Sequence, residues 1–176
     1  MEKVLVIGAN GFLGRKLLYR LQSQNYSAIG ADLDIRGIPP EFSPTPLDIT
    51  SEMHVQQVIS KIRPAIVILT AAMTNVDACE DQPDLAQQIN ADGPLYIARA
   101  TKAVDAVLVH ISTDFIFDGR TGNYHEEDPP NPLSVYGRSK LEGEHNILAL
   151  DFPSSICRTS VLYGWPASDQ RDNFFS

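Results

Sequence analysis

This sequence has few cysteines, fewer basic than acidic residues and no long apolar run. Its 176 residues include two cysteines, Cys79 and Cys157, which are too few for a disulfide framework and have no metal-ligand spacing, so we expect no metal site. Lysine and arginine total 14 against 22 acidic residues, and the formal net charge of −8 disfavours nucleic acid as a partner. No apolar run reaches the ~18 residues of a membrane helix, so we expect no membrane partner either.

The amino-terminal segment also lacks the features of an export signal. Met1, Glu2 and Lys3 lead directly into a short apolar run at 4–7, without the longer apolar core and the small-residue cleavage site that a signal peptide needs. Isolated cysteines are typical of proteins in a reducing compartment. We therefore expect the protein to be cytoplasmic.

Short β-branched apolar runs alternate along the chain with longer stretches of helical period. This alternation is typical of a parallel sheet with helices on both faces, and it predicts an α/β fold with a doubly wound, Rossmann-like sheet. A loop at 113–133, rich in glycine and proline, follows the fifth strand, where such sheets bind ligands. The predicted strands lie at 3–7, 27–32, 44–47, 65–71, 106–112 and 154–161, and the predicted helices at 12–24, 51–62, 84–103 and 134–150.

A glycine-rich turn joins the first predicted strand to the first predicted helix. Gly8 permits a tight turn, Gly11 lets the backbone approach a pyrophosphate, and Gly14 lets the helix pack closely on the strand. The helix N-terminus adds amide donors and a positive partial charge. The spacing is Gly-x-x-Gly-x-x-Gly, which differs from that of the commonest dehydrogenases. We assign the intervening residues Asn10, Phe12 and Leu13 to the same cofactor-binding turn.

An acidic residue ends the second predicted strand, 24 residues after Gly8. This residue, Asp32, stands near the distance at which a carboxylate meets the adenosine ribose, although a solvated carboxylate at a strand end is the alternative. Asp32 and Asp34 should together repel a 2′-phosphate, so NAD(H) is favoured as the cofactor. Arg36 lies close enough to this position to accommodate a 2′-phosphate, so NADP(H) is the alternative cofactor.

Two residues after the third predicted strand, Asp48 and Ile49, are also assigned to the cofactor site. For Asp48 the sequence leaves two interpretations open. It either reaches the adenine or caps the helix that begins near Ser51, and capping is the safer of the two.

A tyrosine and a lysine stand four residues apart at the start of the last predicted helix. This spacing places the side chains of Tyr136 and Lys140 on one helix face. An ammonium beside a phenol lowers the phenol pKa and makes the tyrosine a usable proton donor to a carbonyl that receives hydride. The alternative is a chance pair with a solvated lysine. Thr113, at the carboxyl end of the fifth strand, adds a hydroxyl where substrate should lie.

Together these motifs resemble the extended short-chain dehydrogenases/reductases that act on nucleotide sugars. Longer segments are similar to those of the dTDP-4-dehydrorhamnose reductase family, and the resemblance spans essentially the whole chain. The segments that carry it lie at 70–77, 90–94, 112–119 and 158–164.

The resemblance implies a role for each matching residue. Thr113 would hydrogen-bond the substrate carbonyl, Tyr136 would protonate it, and Lys140 would bind the nicotinamide ribose and tune Tyr136, so that the last two also contact the cofactor. Asn90 would hold a supporting backbone position. The residues that would line the cofactor are Ala71 and Ala72.

The family's chain is longer and continues into a smaller C-terminal substrate domain. The sequence ends on an apolar pair, Phe174 and Phe175, before Ser176, which indicates an interrupted chain. We therefore expect a dinucleotide-binding domain over 1–164, the start of a substrate domain over 165–176, and the rest of that domain to be missing.

Three functions stay open at the level of the sequence. The first is NAD(P)H-dependent reduction of a 4-keto-6-deoxy nucleotide sugar, with that sugar as the small-molecule partner and a homodimer left open. The second, a dehydratase or epimerase, is disfavoured because Phe115 follows Asp114 where the dehydratases have a second carboxyl. The third is a non-catalytic binding subunit resembling the regulatory subunit of methionine adenosyltransferase. His110 is interpreted as a satisfied core histidine.

Overall fold

A computed structural model describes residues 1–164, so the predicted start of a second domain lies outside the described residues. Its six strands pair in parallel, and they are β1 (Lys3–Ile7), β2 (Ser27–Asp32), β3 (Thr45–Pro46), β4 (Ile66–Leu69), β5 (Val107–Thr113) and β6 (Ser154–Thr159). The strand order is β3-β2-β1-β4-β5-β6. The predicted doubly wound sheet is therefore confirmed.

The chain reverses its direction of winding at β1, which lies between β2 and β4. Doubly wound sheets bind ligands at the carboxyl ends of the strands beside such a reversal. The predicted strand at 65–71 ends early, because the backbone N–H groups of Thr70 and Ala71 both donate to the Ile7 carbonyl, at 2.8 and 3.1 Å. The chain after β4 therefore turns over the end of β1.

The helices differ from the prediction in one region. The single helix expected at 84–103 is wrong, because a π-helical turn at Gln88–Asp92 divides it. A short helix before it was not predicted, although Asn75 caps it by accepting the Ala78 N–H at 2.8 Å. The helices are α1 (Phe12–Ser23), α2 (Glu52–Ile62), α3 (Val76–Asp81), α4 (Pro83–Gln87), α5 (Gly93–Lys102) and α6 (Val135–Leu148).

Alternate residues of β1 face two separate clusters of buried apolar side chains. Leu5 and Ile7 belong to a large cluster that includes Ile59 of α2 and Ile97 of α5. Val6 belongs to a smaller cluster on the other side, with Leu18, Ile38 and Phe42. Because successive side chains point to opposite faces and both faces are covered, the strand is apolar at each of its four buried positions, 4–7. Within residues 1–164, no helix is both long and apolar enough to cross a membrane.

Candidate cofactor site and active site

The glycine turn has the local geometry that the sequence predicts. Gly8 has a φ of +90°, and a Cβ added there would overlap the backbone of Ala71. A Cβ added at Gly14 would overlap the Gly8 carbonyl oxygen, so α1 packs directly on the turn. Gly11 is exposed, and a Cβ there would meet only the Gly8 carbonyl oxygen, at 3.2 Å. Packing within the protein thus explains Gly8 and Gly14, whereas Gly11 leaves an open approach to the backbone.

Asp32 braces the glycine turn. Its carboxylate accepts the backbone N–H of Asn10 at 2.9 Å and that of Asp34 at 3.3 Å. The interpretation of Asp32 as a merely solvated carboxylate is therefore wrong. Its contact with a ribose stays a prediction.

Arg36 is paired with Asp34 on the surface beside this turn. The guanidinium donates to both carboxylate oxygens, at 2.8 and 2.6 Å. These hydrogen bonds lower the pKa of Asp34 to about 2, so the pair is ionised. The positive charge that would attract a 2′-phosphate is therefore paired with a carboxylate of the same chain.

The predicted capping role of Asp48 is wrong. Ser51 caps α2 by accepting the His54 N–H at 3.4 Å. Asp48 instead accepts the N–H and the hydroxyl of Thr50, at 2.9 and 2.7 Å, and these bonds lower its pKa. Ile49 is 8% exposed within the main core cluster. The adenine contact of Asp48 and Ile49 stays a prediction.

The loop after β4 lies against the glycine turn. Ala71 and Ala72 are half-buried, and Ala71 lies where a side chain on Gly8 would have to go. Sequence reasoning missed Thr70, whose hydroxyl donates to the Ile7 and Gly8 carbonyls at 2.9 and 3.1 Å. A threonine at the end of an apolar strand was the signal available. Thr70 fixes the distance between this loop and the glycine turn.

Thr113 and Tyr136 lie together at the carboxyl end of β5. The Thr113 hydroxyl accepts the Phe115 N–H at 3.1 Å and donates to the Asp114 carboxylate at 3.3 Å. Burial raises the pKa of Tyr136; the nearby Thr113 hydroxyl opposes this effect, and Cys79 and Asp114 add to it. The expected lowering of the pKa by Lys140 is therefore wrong for the chain alone, because desolvation of the phenol dominates.

Lys140 lies deeper than the sequence indicates. It is 2% exposed, and its ammonium donates to the Ile111 carbonyl at 2.7 Å and contacts His110 Nε2 at 3.3 Å. Burial lowers its pKa to about 8, although Glu144 acts in the opposite direction. The solvated-lysine alternative is therefore wrong.

His110 is buried, as expected, but only one of its ring nitrogens has a partner. Burial, and secondarily the Lys140 charge, hold its pKa well below the usual range. A neutral ring places its proton on Nδ1 when Nε2 accepts from the lysine. That Nδ1 has no hydrogen-bond partner, so the expectation of a satisfied histidine is wrong for this atom.

Asn90 connects the loop after β4 to the helix that carries Tyr136. Its side chain accepts the Met73 N–H at 2.8 Å and donates to the Met73 carbonyl at 3.0 Å and to the Ser139 hydroxyl at 3.1 Å. The π-helical turn aims this amide out of the regular helix. A Cβ added at Gly143 would overlap the Asn90 carbonyl oxygen, so α6 packs on this turn without a spacer. The expected supporting role of Asn90 matches this geometry.

A buried ionic network beneath these residues was not predicted. Glu144, 1% exposed, accepts the Ser112 hydroxyl and receives a forked pair of bonds from Arg158, with Nη2 and Oε2 separated by 2.7 Å. The sequence feature that could have indicated this network is the position of Glu144, four residues after Lys140 and therefore on the same face of the helix.

A cleft of about 660 Å³ opens beside Asp114 and Phe115, which directly follow Thr113 in the chain. The loop between β5 and α6 forms most of its wall. Inside that loop, Phe117 and Tyr124 stack face to face with centroids 4.4 Å apart. Glu126 is exposed and lines the cleft, and no cluster of metal-ligating side chains occurs within the described part of the chain.

The fold and the site define a doubly wound α/β domain of the kind that holds a nucleotide cofactor at a glycine turn. The comparison with known families is more specific. The chain belongs to the RmlD substrate-binding domain family, whose model matches residues 1–176.

The relatives differ in name, and two of them show the range. The chain is 40% identical over 164 residues to dTDP-4-dehydrorhamnose reductase of Streptomyces griseus, covering 91% of this chain and 50% of the relative. It is 37% identical over 163 residues to methionine adenosyltransferase 2 subunit beta of Bos taurus, covering 93% and 48%. The chain thus spans about half the length of the curated relatives it matches.

A solved structure supports the fold at higher identity. The dTDP-4-dehydrorhamnose reductase of Bacillus anthracis, crystallised in complex with NADP, superposes with a TM-score of 0.82 at 42% identity, covering 92% of this chain and 54% of that one. The Thermus thermophilus UDP-glucose 4-epimerase superposes equally well at 23% identity, which supports the fold alone.

Proposed function

We propose that the full protein is an NAD(P)H-dependent reductase of a 4-keto-6-deoxy nucleotide sugar, acting in nucleotide-sugar and cell-surface polysaccharide biosynthesis. The observation that carries the proposal is the proximity of two hydroxyls, those of Thr113 and Tyr136, at the carboxyl end of β5, in a sheet whose β1 ends in an open glycine turn. The reductase from Bacillus anthracis with NADP supports the cofactor class.

The residues present fit a dinucleotide. Gly11 presents exposed backbone at the start of α1, where N–H groups and the helix dipole favour a pyrophosphate. The acidic end of β2 lies beside it, braced through Asn10. A bound nicotinamide would supply the hydride to the sugar ketone.

The chain's own residues would supply the proton. The raised pKa of Tyr136 keeps its phenol protonated at neutral pH, as a proton donor to the keto oxygen must be. The Thr113 hydroxyl would donate to the same oxygen as negative charge develops there. Lys140, with a pKa of about 8, remains largely charged at neutral pH and would bind the nicotinamide ribose, the role that the family resemblance implies for it.

Substitution of Tyr136 in the full-length protein tests this role. Tyr136→Phe should lose at least about a hundredfold in turnover with a 4-keto nucleotide sugar while the dissociation constant for NADH stays nearly unchanged, because only the transition state loses the proton. Tyr26→Phe, at a partly exposed phenol before β2, is the matched control. Retention of most activity in Tyr136→Phe would refute the assignment.

A non-catalytic binding subunit is the second candidate, favoured by the 37% identity to methionine adenosyltransferase 2 subunit beta. Full-length protein that binds NADH yet turns over no member of a nucleotide-sugar panel would support it. The dehydratase alternative is weaker, because Phe115 packs edge-on against the Tyr136 ring, with centroids 5.7 Å apart, where a second carboxyl would be needed.

We also infer a cytoplasmic location from the two free thiols, Cys79 and Cys157. Sedimentation would decide whether the protein is a homodimer.

A further inference from the structure

One arginine joins three parts of the molecule that surround the cleft. Arg158, in β6, donates through Nε and Nη2 to the Glu144 carboxylate of α6, with distances of 2.7 to 3.2 Å. Its Nη1 donates to the Glu126 carbonyl at 2.8 Å. The guanidinium also lies over the Phe117 ring, 5.6 Å from its centroid. The same side chain thus contacts the helix that carries Tyr136 and two points of the loop between β5 and α6.

The two partners of this ion pair differ in how far they are buried. Glu144 is buried, with 1% of its side chain exposed, so its charge depends on the guanidinium for compensation. The Arg158 side chain is 23% exposed and lines the cleft. A buried ion pair holds the guanidinium in one orientation, and its outward N–H is then aimed at the loop.

The loop itself has few other anchors along the cleft. Asp118 organises its tip by accepting from Tyr124 and Asn131, but these bonds stay within the loop. The Asn131 N–H donates to the Ile116 carbonyl at 2.9 Å, which closes the base of the loop. The bond to Glu126 and the contact with Phe117 tie the intervening segment to the sheet.

We propose that Arg158 is a positioning residue that docks the 117–126 segment onto α6 and so shapes the substrate side of the cleft. Glu144 fixes the guanidinium, and the guanidinium fixes the loop. Substitution of Arg158 should therefore release the loop and leave the structure of the glycine turn unchanged. The consequence for substrate rests on the proposed function: the KM for the nucleotide sugar should rise while the dissociation constant for NADH stays unchanged.

The chain contains a natural reporter of loop docking. Arg120 is the only lysine or arginine between Asp114 and Ser134, and its side chain is 78% exposed. Trypsin needs an extended backbone around the bond that it cuts, so cleavage after Arg120 should become faster when the 117–126 segment leaves Arg158. This readout uses the 176-residue chain and needs no enzymatic activity.

Four variants separate docking from general destabilisation. Arg158→Met should raise the rate of cleavage after Arg120 roughly tenfold, the effect of losing one hydrogen bond to a charged group. Arg158→Lys, which keeps a cation beside Glu144 but lacks the fork, should give an intermediate rate. The double variant Glu144→Gln/Arg158→Met removes both charges of the ion pair, so it should regain part of the lost thermal stability yet be cleaved as fast as Arg158→Met. Arg99→Met, which removes a surface ion pair with Glu52, is the control and should leave the rate unchanged.

Two results would overturn the proposal. One is a folded Arg158→Met chain that is cleaved after Arg120 at the wild-type rate. The other is a double variant that is cleaved as slowly as the wild type. The faster cleavage of Arg158→Met would then come from the unpaired, buried Glu144 carboxylate and not from the loss of the contacts between Arg158 and the loop. In the full-length protein, a fall in kcat with KM unchanged would contradict the substrate consequence alone. Absence of any turnover would count against the proposed function and leave the proteolysis result valid.

Discussion

Burial of the Lys140 ammonium should make the stability of this domain rise with pH in the alkaline range. Burial lowers the pKa of this lysine from 10.5 to about 8. Below pH 8 the folded and unfolded chains are both charged at this residue, and the folded chain bears the cost of burying that charge. Between the two values the unfolded chain binds a proton that the folded chain has released, so the free energy of unfolding increases with pH. At about 1.4 kcal/mol per pKa unit, the full effect is about 3 kcal/mol.

Lys140→Met isolates this contribution, because methionine has a similar length and does not titrate. The free energy of unfolding is measured by urea denaturation at several values between about pH 7 and 10 for both proteins. Over that range the wild type should gain about 2 to 3 kcal/mol relative to the variant. Lys61→Met, on an exposed part of α2, controls for the loss of one positive charge.

Parallel stability curves for the wild type and Lys140→Met would refute this reasoning. They would mean that the ammonium reaches solvent in the folded chain, in conflict with its 2% exposure and its contacts to His110 and the Ile111 carbonyl. A gain of the opposite sign would mean that Glu144 outweighs desolvation and holds the ammonium charged above its ordinary pKa.

Three further outcomes are expected at the cofactor site and the active site. Gly11→Val should abolish NADH binding, measured by fluorescence titration, while the melting temperature stays within a few degrees of wild type, because a Cβ there meets only one carbonyl oxygen; a loss of folding would contradict this. NADH should bind more tightly than NADPH, and Asp34→Asn should narrow the ratio of the two dissociation constants by freeing Arg36; an unchanged ratio would show that this pair does not govern selectivity. Thr113→Val should cost about 10²–10³ in the turnover of the full-length protein, as expected for one lost donor to a developing oxyanion, and a cost below about tenfold would exclude that role.

The sequence predicts those features that depend on local pattern. Apolar runs and helical periods located all six strands, and the glycine spacing located the turn at Gly8 and Gly14, because a tight turn and a close helix approach need that residue type wherever they occur. The division of the 84–103 helix was not predictable in this way. It depends on Asn90 reaching Met73 and Ser139, which lie 17 residues before it and 49 after it in the chain.

The burial of charge was the other feature that local pattern could not reveal. The spacing of Tyr136 and Lys140 predicts a shared helix face, but it does not show how deeply that face lies in the protein. Depth is set by β5 and β6, whose side chains at Ser112 and Arg158 meet Glu144 from strands 32 and 14 residues away. The same positions on an exposed helix would carry solvated charges with ordinary pKa values.

The buried face of α6 carries two charged side chains, and polar groups of the sheet compensate both of them. Lys140 and Glu144 lie one helical turn apart, and each is met by a polar group that the parallel sheet presents: the Ile111 carbonyl for the ammonium and the Ser112 hydroxyl for the carboxylate. Burying both charges is costly, and burying either one without its partners would cost several kcal/mol more. The arrangement therefore permits very few positions of α6 against β5. Because Tyr136 is on that helix and Thr113 ends that strand, the same constraint fixes the two hydroxyls relative to each other, as the proposed donation of a proton to a ketone would require.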